Sequence, residues 1–122
     1  DTLSAFRAVR DRTTSAPAPL ATRLVEIIVH GEDIRRPLGI RHDYPVEAAA
    51  TALRHQLGTS VKMGGGKERA KGLHLVATDS DFEIGEGQDV HGTTLALLLA
   101  VSGRPVDPQE LTGSGATVLM SG

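Results

Sequence analysis

The 122-residue sequence contains no cysteine and no tryptophan, and it has only two phenylalanines and one tyrosine. Without cysteine the chain can form neither disulfides nor thiolate zinc sites, which fits a cytoplasmic protein. Because aromatic residues make up only 2% of the chain, its core must be built from leucine, valine, isoleucine and alanine. No apolar stretch is long enough to span a bilayer, and the first residues lack the apolar centre of a signal peptide.

Neither sign of charge dominates the chain, since 13 lysines and arginines stand against 15 acidic residues, a formal net charge of -2. This balance provides no electrostatic basis for binding nucleic acid or an anionic membrane. Apolar residues at 39% and charged residues at 23% are typical of a globular protein. We therefore expect one ordinary domain or two small units, with neither nucleic acid nor a membrane as a partner.

Residues 20–40 have the spacing of a single helix that ends at Pro37 and Gly39. Apolar residues cover well over half of its circumference, which predicts that the helix is buried. Its polar residues fall in one narrow stripe that includes Glu26 and His30. These two residues are four positions apart, so they are neighbours on one face of the helix.

Two interpretations of this polar stripe are open. A carboxylate and an imidazole on a buried helix need partners, and a divalent metal such as zinc is one such partner. The stripe also fits the solvated face of an amphipathic helix, with Arg23–Glu26 and His30–Asp33 as ordinary intrahelical pairs. Spacing alone favours this second interpretation, because a catalytic zinc requires three protein ligands and the stripe supplies two.

The rest of the chain alternates between helical and strand patterns, which predicts an α+β fold. Helical spacing occurs at residues 3–10, 46–57 and 93–101, the last apolar on all sides and therefore buried. Alternating residues predict a β-hairpin from 72–79 and 79–87, which 88–92 extends, and a strand, turn and short helix at 110–122. We expect loops at 13–19 and at 62–72, the latter a basic hairpin loop rather than a phosphate cradle.

Several stretches, in their order, resemble one protein family. VEIIVHGEDIRRPLG is similar to the last bundle helix of the mycothiol-dependent maleylpyruvate isomerase family of actinobacteria. GGGKERAKGLHLVATDSDFEIGEG resembles that family's glycine-rich turn and hairpin, VHGTTLALLLAVSGRP its following helix, and ELTGSGATVL its final segment. The resemblance implies remnant helices of a DinB-like four-helix bundle over residues 1–43. It implies a small sterol-carrier-like α+β domain with an antiparallel sheet over residues 44–122.

The resemblance also implies a metal site. In that family a divalent metal, usually zinc, is held by a histidine from an early helix and by a Glu and a His four apart on the last helix. Glu26 and His30 match the last two ligands, so the resemblance favours the metal interpretation over the solvated face. No histidine of this chain matches the first ligand, so we expect the C-terminal portion of a longer protein. Solvent or a neighbouring chain would then complete the site.

The chemistry that the resemblance implies depends on mycothiol, a low-molecular-weight thiol that loses its proton on coordination to a metal. The thiolate would react with a small electrophilic substrate, which makes the protein a cytoplasmic isomerase or thiol transferase. Arginine is suited to holding substrate carboxylates, and Arg104 is the favoured candidate catalytic residue, with Arg36 second. Either arginine could instead stabilise the end of a helix.

Two other functions remain open. The sterol-carrier-like part could bind an apolar ligand beneath the 93–101 helix and carry out no chemistry. The chain could also be an inactive fragment whose exposed bundle-helix face favours a homo-oligomer, since an apolar patch is stabilised when it is covered. Glu26 and His30 favour the enzyme, whereas the missing third ligand favours the inactive fragment.

Overall fold

A computed structural model describes residues 18–121 of the protein. The predicted helix at 3–10 lies outside the described residues, as does most of the predicted loop at 13–19. No helix between residues 18 and 121 combines the length and the apolar composition needed to cross a bilayer.

The first described segment is a continuous helical stretch, here called the N-terminal helix. It consists of α1 (Ala18–Val25), a π-helical turn (Glu26–His30), α2 (Gly31–Arg35) and a 3-10 turn (Arg36–Leu38). Gly39 then takes a left-handed conformation with φ 71°, which a residue without a Cβ adopts at no steric cost. The prediction of one helix that ends at this glycine is confirmed.

The second helix, α3 (Val46–Leu57), has the predicted bounds. It lies between the N-terminal helix and a later helix, so it is buried on more than one side. Its buried positions are largely small residues, which allow the neighbouring helices to approach closely: Ala48, Ala49, Ala50, Ala52 and Leu53. The buried amide of Gln56 donates hydrogen bonds to Ser102 Oγ at 2.9 Å and to the Gly64 carbonyl at 3.2 Å.

Residues 62–72 belong to the connection between α3 and the first strand, so the predicted loop is confirmed, but it does not join the two strands of a β-hairpin. The connection begins with a 3-10 turn (Val61–Met63) and folds back against the core. A side chain at Gly66 would collide with the Val101 carbonyl, which explains a glycine there. The loop therefore follows the helix surface closely and does not project as a hairpin.

Within residues 18–121, four strands form one sheet in the order β2-β1-β3-β4. The strands are β1 (Leu73–Ala77), β2 (Glu83–Ile84), β3 (Gln88–Gly92) and β4 (Leu111–Thr112). The predicted hairpin of β1 and β2 is confirmed, as is the α+β class. However, β3 pairs with β1 in parallel, so the expected antiparallel sheet is in fact mixed. The chain reverses twice between β1 and β3, which restores its direction, and β3 then lies on the other side of β1.

The helix α4 (Thr94–Val101) lies against the sheet and is almost wholly buried, as predicted. The Thr93 hydroxyl accepts a hydrogen bond from the Ala96 amide at 3.1 Å, so it caps the first turn. Asp79 Oδ1 accepts two more, from the Thr94 amide at 2.9 Å and its hydroxyl at 2.7 Å. After β4 the described part of the chain ends in α5 (Ala116–Ser121), which confirms the predicted strand, turn and short helix.

One hydrophobic core unites these elements. Leu24 and Ile28 of the N-terminal helix belong to the same buried cluster as Leu53 of α3, Leu75 of β1 and Leu98 of α4. The core therefore continues across the predicted boundary between residues 43 and 44. It fixes the N-terminal helix relative to the end of α4, where the candidate arginine lies.

Candidate functional site

The two predicted metal ligands lie on the solvent side of the N-terminal helix. Glu26 is exposed and the His30 side chain is 67% exposed, whereas Leu24 and Ile28 are completely buried on the other side. Both polar side chains therefore face away from the core. Of the two intrahelical pairs that the second interpretation predicts, His30–Asp33 is present at 3.8 Å, whereas no ion pair joins Arg23 to Glu26 within residues 18–121.

The backbone between these two residues departs from an α-helix. The π-helical turn begins at Glu26 and ends at His30, and its buried residues are Ile28 and Val29. Such turns are rare, occur mostly as single turns within α-helices and are frequently found at functional sites. Because a π turn contains more residues than an α turn, Glu26 and His30 are just under one turn apart. They remain next to each other on the exposed face.

Asp33 links this face to Arg104. Its Oδ2 lies 3.8 Å from His30 Nδ1, and Arg104 Nε donates to its Oδ1 at 2.9 Å. Arg104 reaches the helix because Gly103 turns the chain at the end of α4 with φ 80°. The structure thus brings His30 and the candidate arginine together through one carboxylate, although 71 residues separate Arg104 from Asp33.

The described residues contain two of the expected ligands and no complete metal site. Between residues 18 and 121 no group of three or more His, Asp or Glu side chains is arranged to hold a metal ion. Glu26 and His30 provide one carboxylate oxygen donor and one imidazole nitrogen, which suit zinc. At least one more donor would have to come from outside the described residues.

The N-terminal helix also carries a buried carboxylate, Glu32, which was not predicted from the sequence and lies about one turn after Ile28. Glu32 is only 4% exposed, and it accepts hydrogen bonds from the Tyr44 hydroxyl at 2.8 Å and from Arg36 Nε at 3.1 Å. Arg35 donates to the same hydroxyl at 2.7 Å. Helical geometry places Glu32 about 40° from Ile28, on the apolar side, and this position was the signal that could have revealed it.

Arg36 joins this network to the C-terminal part of the chain. Its guanidinium forms two parallel hydrogen bonds of 2.9 Å with the Glu110 carboxylate, the geometry of a strong bidentate pair. The bond to Glu110 raises the pKa of Arg36, and the same bond lowers the pKa of Glu110. Burial, together with the hydrogen bond to Glu32, raises the pKa of Tyr44 to about 12. Arg36 is therefore committed to two carboxylates, and it is a poor candidate for binding substrate.

A large open cleft extends from the end of the N-terminal helix, along α3 and α4, to the ends of β1 and β3. Its volume is about 1140 Å³, and its walls include Arg36, Arg41 and Arg104. Six carboxylates also line it: Glu32, Asp33, Asp43, Asp79, Asp107 and Glu110. The cleft is therefore not strongly cationic, and an anionic substrate would depend on particular arginines rather than on the overall field.

No protein-family model, curated protein or solved structure matches this chain. The resemblance noted from the sequence consequently stays a prediction.

A second cavity is smaller and more apolar. This groove, of about 490 Å³, lies between the end of α3, the basic loop and the β1–β2 hairpin. Leu57, Leu73, Leu75 and Ile84 form its apolar surface, and Lys67 and Lys71 flank it. No residue of α4 lines this groove, whereas Leu95 and Leu99 of α4 line the larger cleft, so the expected apolar site beneath the 93–101 helix stays a prediction.

Proposed function

We propose that this chain is the C-terminal portion of a metal- and mycothiol-dependent enzyme, an isomerase or thiol transferase acting on a small electrophilic substrate. The observation that carries the proposal is the exposed π-helical turn with Glu26 and His30 at its two ends. An exposed carboxylate and imidazole, next to each other and turned away from the core, are available to a cation. The DinB-like bundle, the sterol-carrier-like domain and the cytoplasmic location belong to the same proposal.

In this function Glu26 and His30 would hold the metal, with a third ligand from another part of the polypeptide or from a second chain. A bound divalent metal would supply Lewis acidity, which lowers the pKa of a coordinated thiol. Asp33 lies on the Nδ1 side of His30, so the Nε2 atom is the one directed away from the carboxylate. The exposed position of both ligands leaves room for a thiol and a substrate.

Arg104 is the arginine best placed to bind a substrate carboxylate in this arrangement. Its Nε donates to Asp33, and one terminal nitrogen donates to the Ser102 carbonyl at 3.3 Å. A guanidinium carries five N–H groups, so Arg104 retains donors for a ligand in the cleft. By contrast, Arg36 uses Nε and both terminal nitrogens in its bonds to Glu32 and Glu110.

The decisive experiment is elemental analysis of the full-length polypeptide, purified without chelators, followed by zinc titration of the metal-depleted protein. We expect stoichiometric zinc in the wild type and its loss in Glu26→Gln and in His30→Gln. His55→Gln is the matched control, because this histidine lies on α3 and contacts Thr22. Turnover of an electrophile panel should require both mycothiol and the metal. A wild type that neither contains nor takes up zinc would overturn the proposal.

A second candidate is a binding module for a small apolar ligand, and the groove beside the β1–β2 hairpin favours it. The groove combines an apolar surface with two flanking lysines, which suits a ligand with a long apolar part. This function requires neither a thiol nor a metal. Binding of a neutral apolar dye, unchanged by chelator and weakened by Ile84→Gln, would support this candidate, since Ile84 lines the groove and lies outside the buried core. Thiol-dependent turnover would support the first.

A further inference from the structure

His74 occupies a bridging position on the outer face of the sheet, away from the helices. As the sequence predicted, it lies at the surface, and its imidazole lies between two carboxylates on the strands either side of β1. The Nε2 atom is 2.7 Å from Glu83 Oε2 on β2, and the Nδ1 atom is 2.8 Å from Asp89 Oδ1 on β3. Both ring nitrogens are thus within hydrogen-bond distance of an acceptor.

This geometry selects the protonated form of the ring. A neutral imidazole has one N–H and one bare nitrogen, whereas the imidazolium has two donors. Only the imidazolium can donate to both carboxylates, and the neutral ring would direct a lone pair at one of them. Accordingly, the hydrogen bonds to Asp89 and then to Glu83 raise the pKa of His74. Among the described residues, these two carboxylates are the charged groups that pair with the ring.

The two neighbouring strands are held to β1 very unequally. The parallel pairing of β3 with β1 extends over five residues and places His74 directly opposite Asp89. The pairing of β2 with β1 extends over two residues, Leu75 with Ile84 and Val76 with Glu83. Since β2 is also the edge strand, the contact with Glu83 is the one that can yield when the ring loses its proton.

Movement of β2 would change the apolar groove. Ile84 of β2 and Gly85 directly after it form one part of the groove wall, and the basic loop, the end of α3 and β1 form the rest. Gly85 has φ 90°, which allows the chain to turn sharply directly after β2. The bridge on the outer face and the groove on the inner face are therefore connected through a strand of only two residues.

We propose that His74 acts as a pH-sensitive latch that holds β2 against β1 and thereby narrows the apolar groove. The latch is closed while the imidazole is protonated. It opens as the pH rises through the titration of His74, which lies above the ordinary value of 6.5. The proposal concerns the hairpin alone and is independent of the metal site.

Amide hydrogen exchange measured by NMR on the 122-residue chain tests the latch directly. After correction for the intrinsic pH dependence of exchange, the Ile84 amide should lose about two- to fivefold of its protection as His74 deprotonates, the range expected for exposed ion pairs. The imidazole resonances of His74 should titrate at the same midpoint. The amide of Val90 on β3 should show no such step.

Two matched variants separate the latch from a general effect of charge. Glu83→Gln should leave Ile84 poorly protected at every pH, whereas Asp89→Asn should move the midpoint to lower pH and keep its amplitude. The neutral dye N-phenyl-1-naphthylamine should bind the wild type more tightly above the midpoint. An unaltered step in Glu83→Gln, or wild-type dye binding that is independent of pH, would refute the proposal.

Discussion

Replacing Tyr44 by phenylalanine removes a single oxygen from the buried network that joins the N-terminal helix to the linker after it. That oxygen donates to Glu32 Oε2 at 2.8 Å and accepts from Arg35 at 2.7 Å. The ring itself, which packs edge-on against His42 at 4.6 Å between centroids, is retained. The change therefore tests the hydrogen bonds with little effect on packing.

The expected loss in the free energy of unfolding comes from the Glu32 carboxylate, which stays buried after its partner is removed. The Glu32 side chain is only 5% exposed, so the carboxylate oxygen that loses the Tyr44 hydroxyl cannot readily be solvated. Leaving a buried acceptor without its partner costs about 1–3 kcal/mol. Because Arg36 still donates to the other oxygen, we expect a value near the lower end, about 1.5 kcal/mol. For a protein of this size the melting temperature should fall by about 4 °C per kcal/mol.

Urea denaturation at neutral pH, with the midpoint and slope analysed together, measures this loss. The pH dependence gives a second check, because the pKa of Tyr44 is raised from 10.0 to about 12 in the folded protein. The contribution of the protonated Tyr44 hydroxyl to the free energy of unfolding is complete below pH 10 and is lost as the pH rises from 10 through 12. Tyr44→Phe should lack that loss. If the variant is as stable as the wild type, or if both respond equally to alkaline pH, the network does not stabilise the fold.

Two further predictions concern the same end of the molecule. Ile34 and Leu38 are 67% and 68% exposed on one side of the N-terminal helix, so the chain should self-associate at high concentration and Ile34→Glu with Leu38→Glu should make it monomeric. Sedimentation equilibrium distinguishes the two, and an unchanged mass would contradict the expectation. Arg36 lowers the pKa of Glu110, so the pair stabilises the protein above pH 4.5 and this contribution is lost as the pH falls below it. In acid denaturation Glu110→Gln should be less stable at neutral pH and should lose less stability below pH 4.5, and a parallel curve would contradict the assignment.

The elements that the sequence predicted well are those specified by neighbouring residues. The bounds of α3 follow from helical periodicity between a proline and a glycine, and the start of α4 from a threonine cap. The alternation of Leu73, Leu75 and Ala77 identified β1. The order of the strands in the sheet could not be predicted from local sequence patterns, because strand pairing depends on contacts between distant segments. The parallel partner of β1 could not be distinguished from a third antiparallel strand.

In the candidate site, too, only the features set by neighbouring residues could be predicted from the sequence. Glu26 and His30 are four residues apart, so their shared face could be predicted from the helix alone. The partners of Asp33 and Arg36 could not, because Arg104 and Glu110 lie 71 and 74 residues away. For this reason Arg36 was proposed as a ligand-binding residue, although the fold engages it in two ion pairs.

The small alanine side chains of α3 set the distance between the N-terminal helix and α4, and therefore the distance between Asp33 and Arg104. Ala48, Ala49 and Ala52 have at most 3% of their surface exposed, and they separate the helix that bears Asp33 from the helix that leads to Arg104. A larger side chain at these positions would force the backbone of the neighbouring helices to shift, at a cost of about 1–3 kcal/mol. Substitutions at these interior positions should therefore change the distance between Asp33 and Arg104, which is 2.9 Å from Oδ1 to Nε in the native protein.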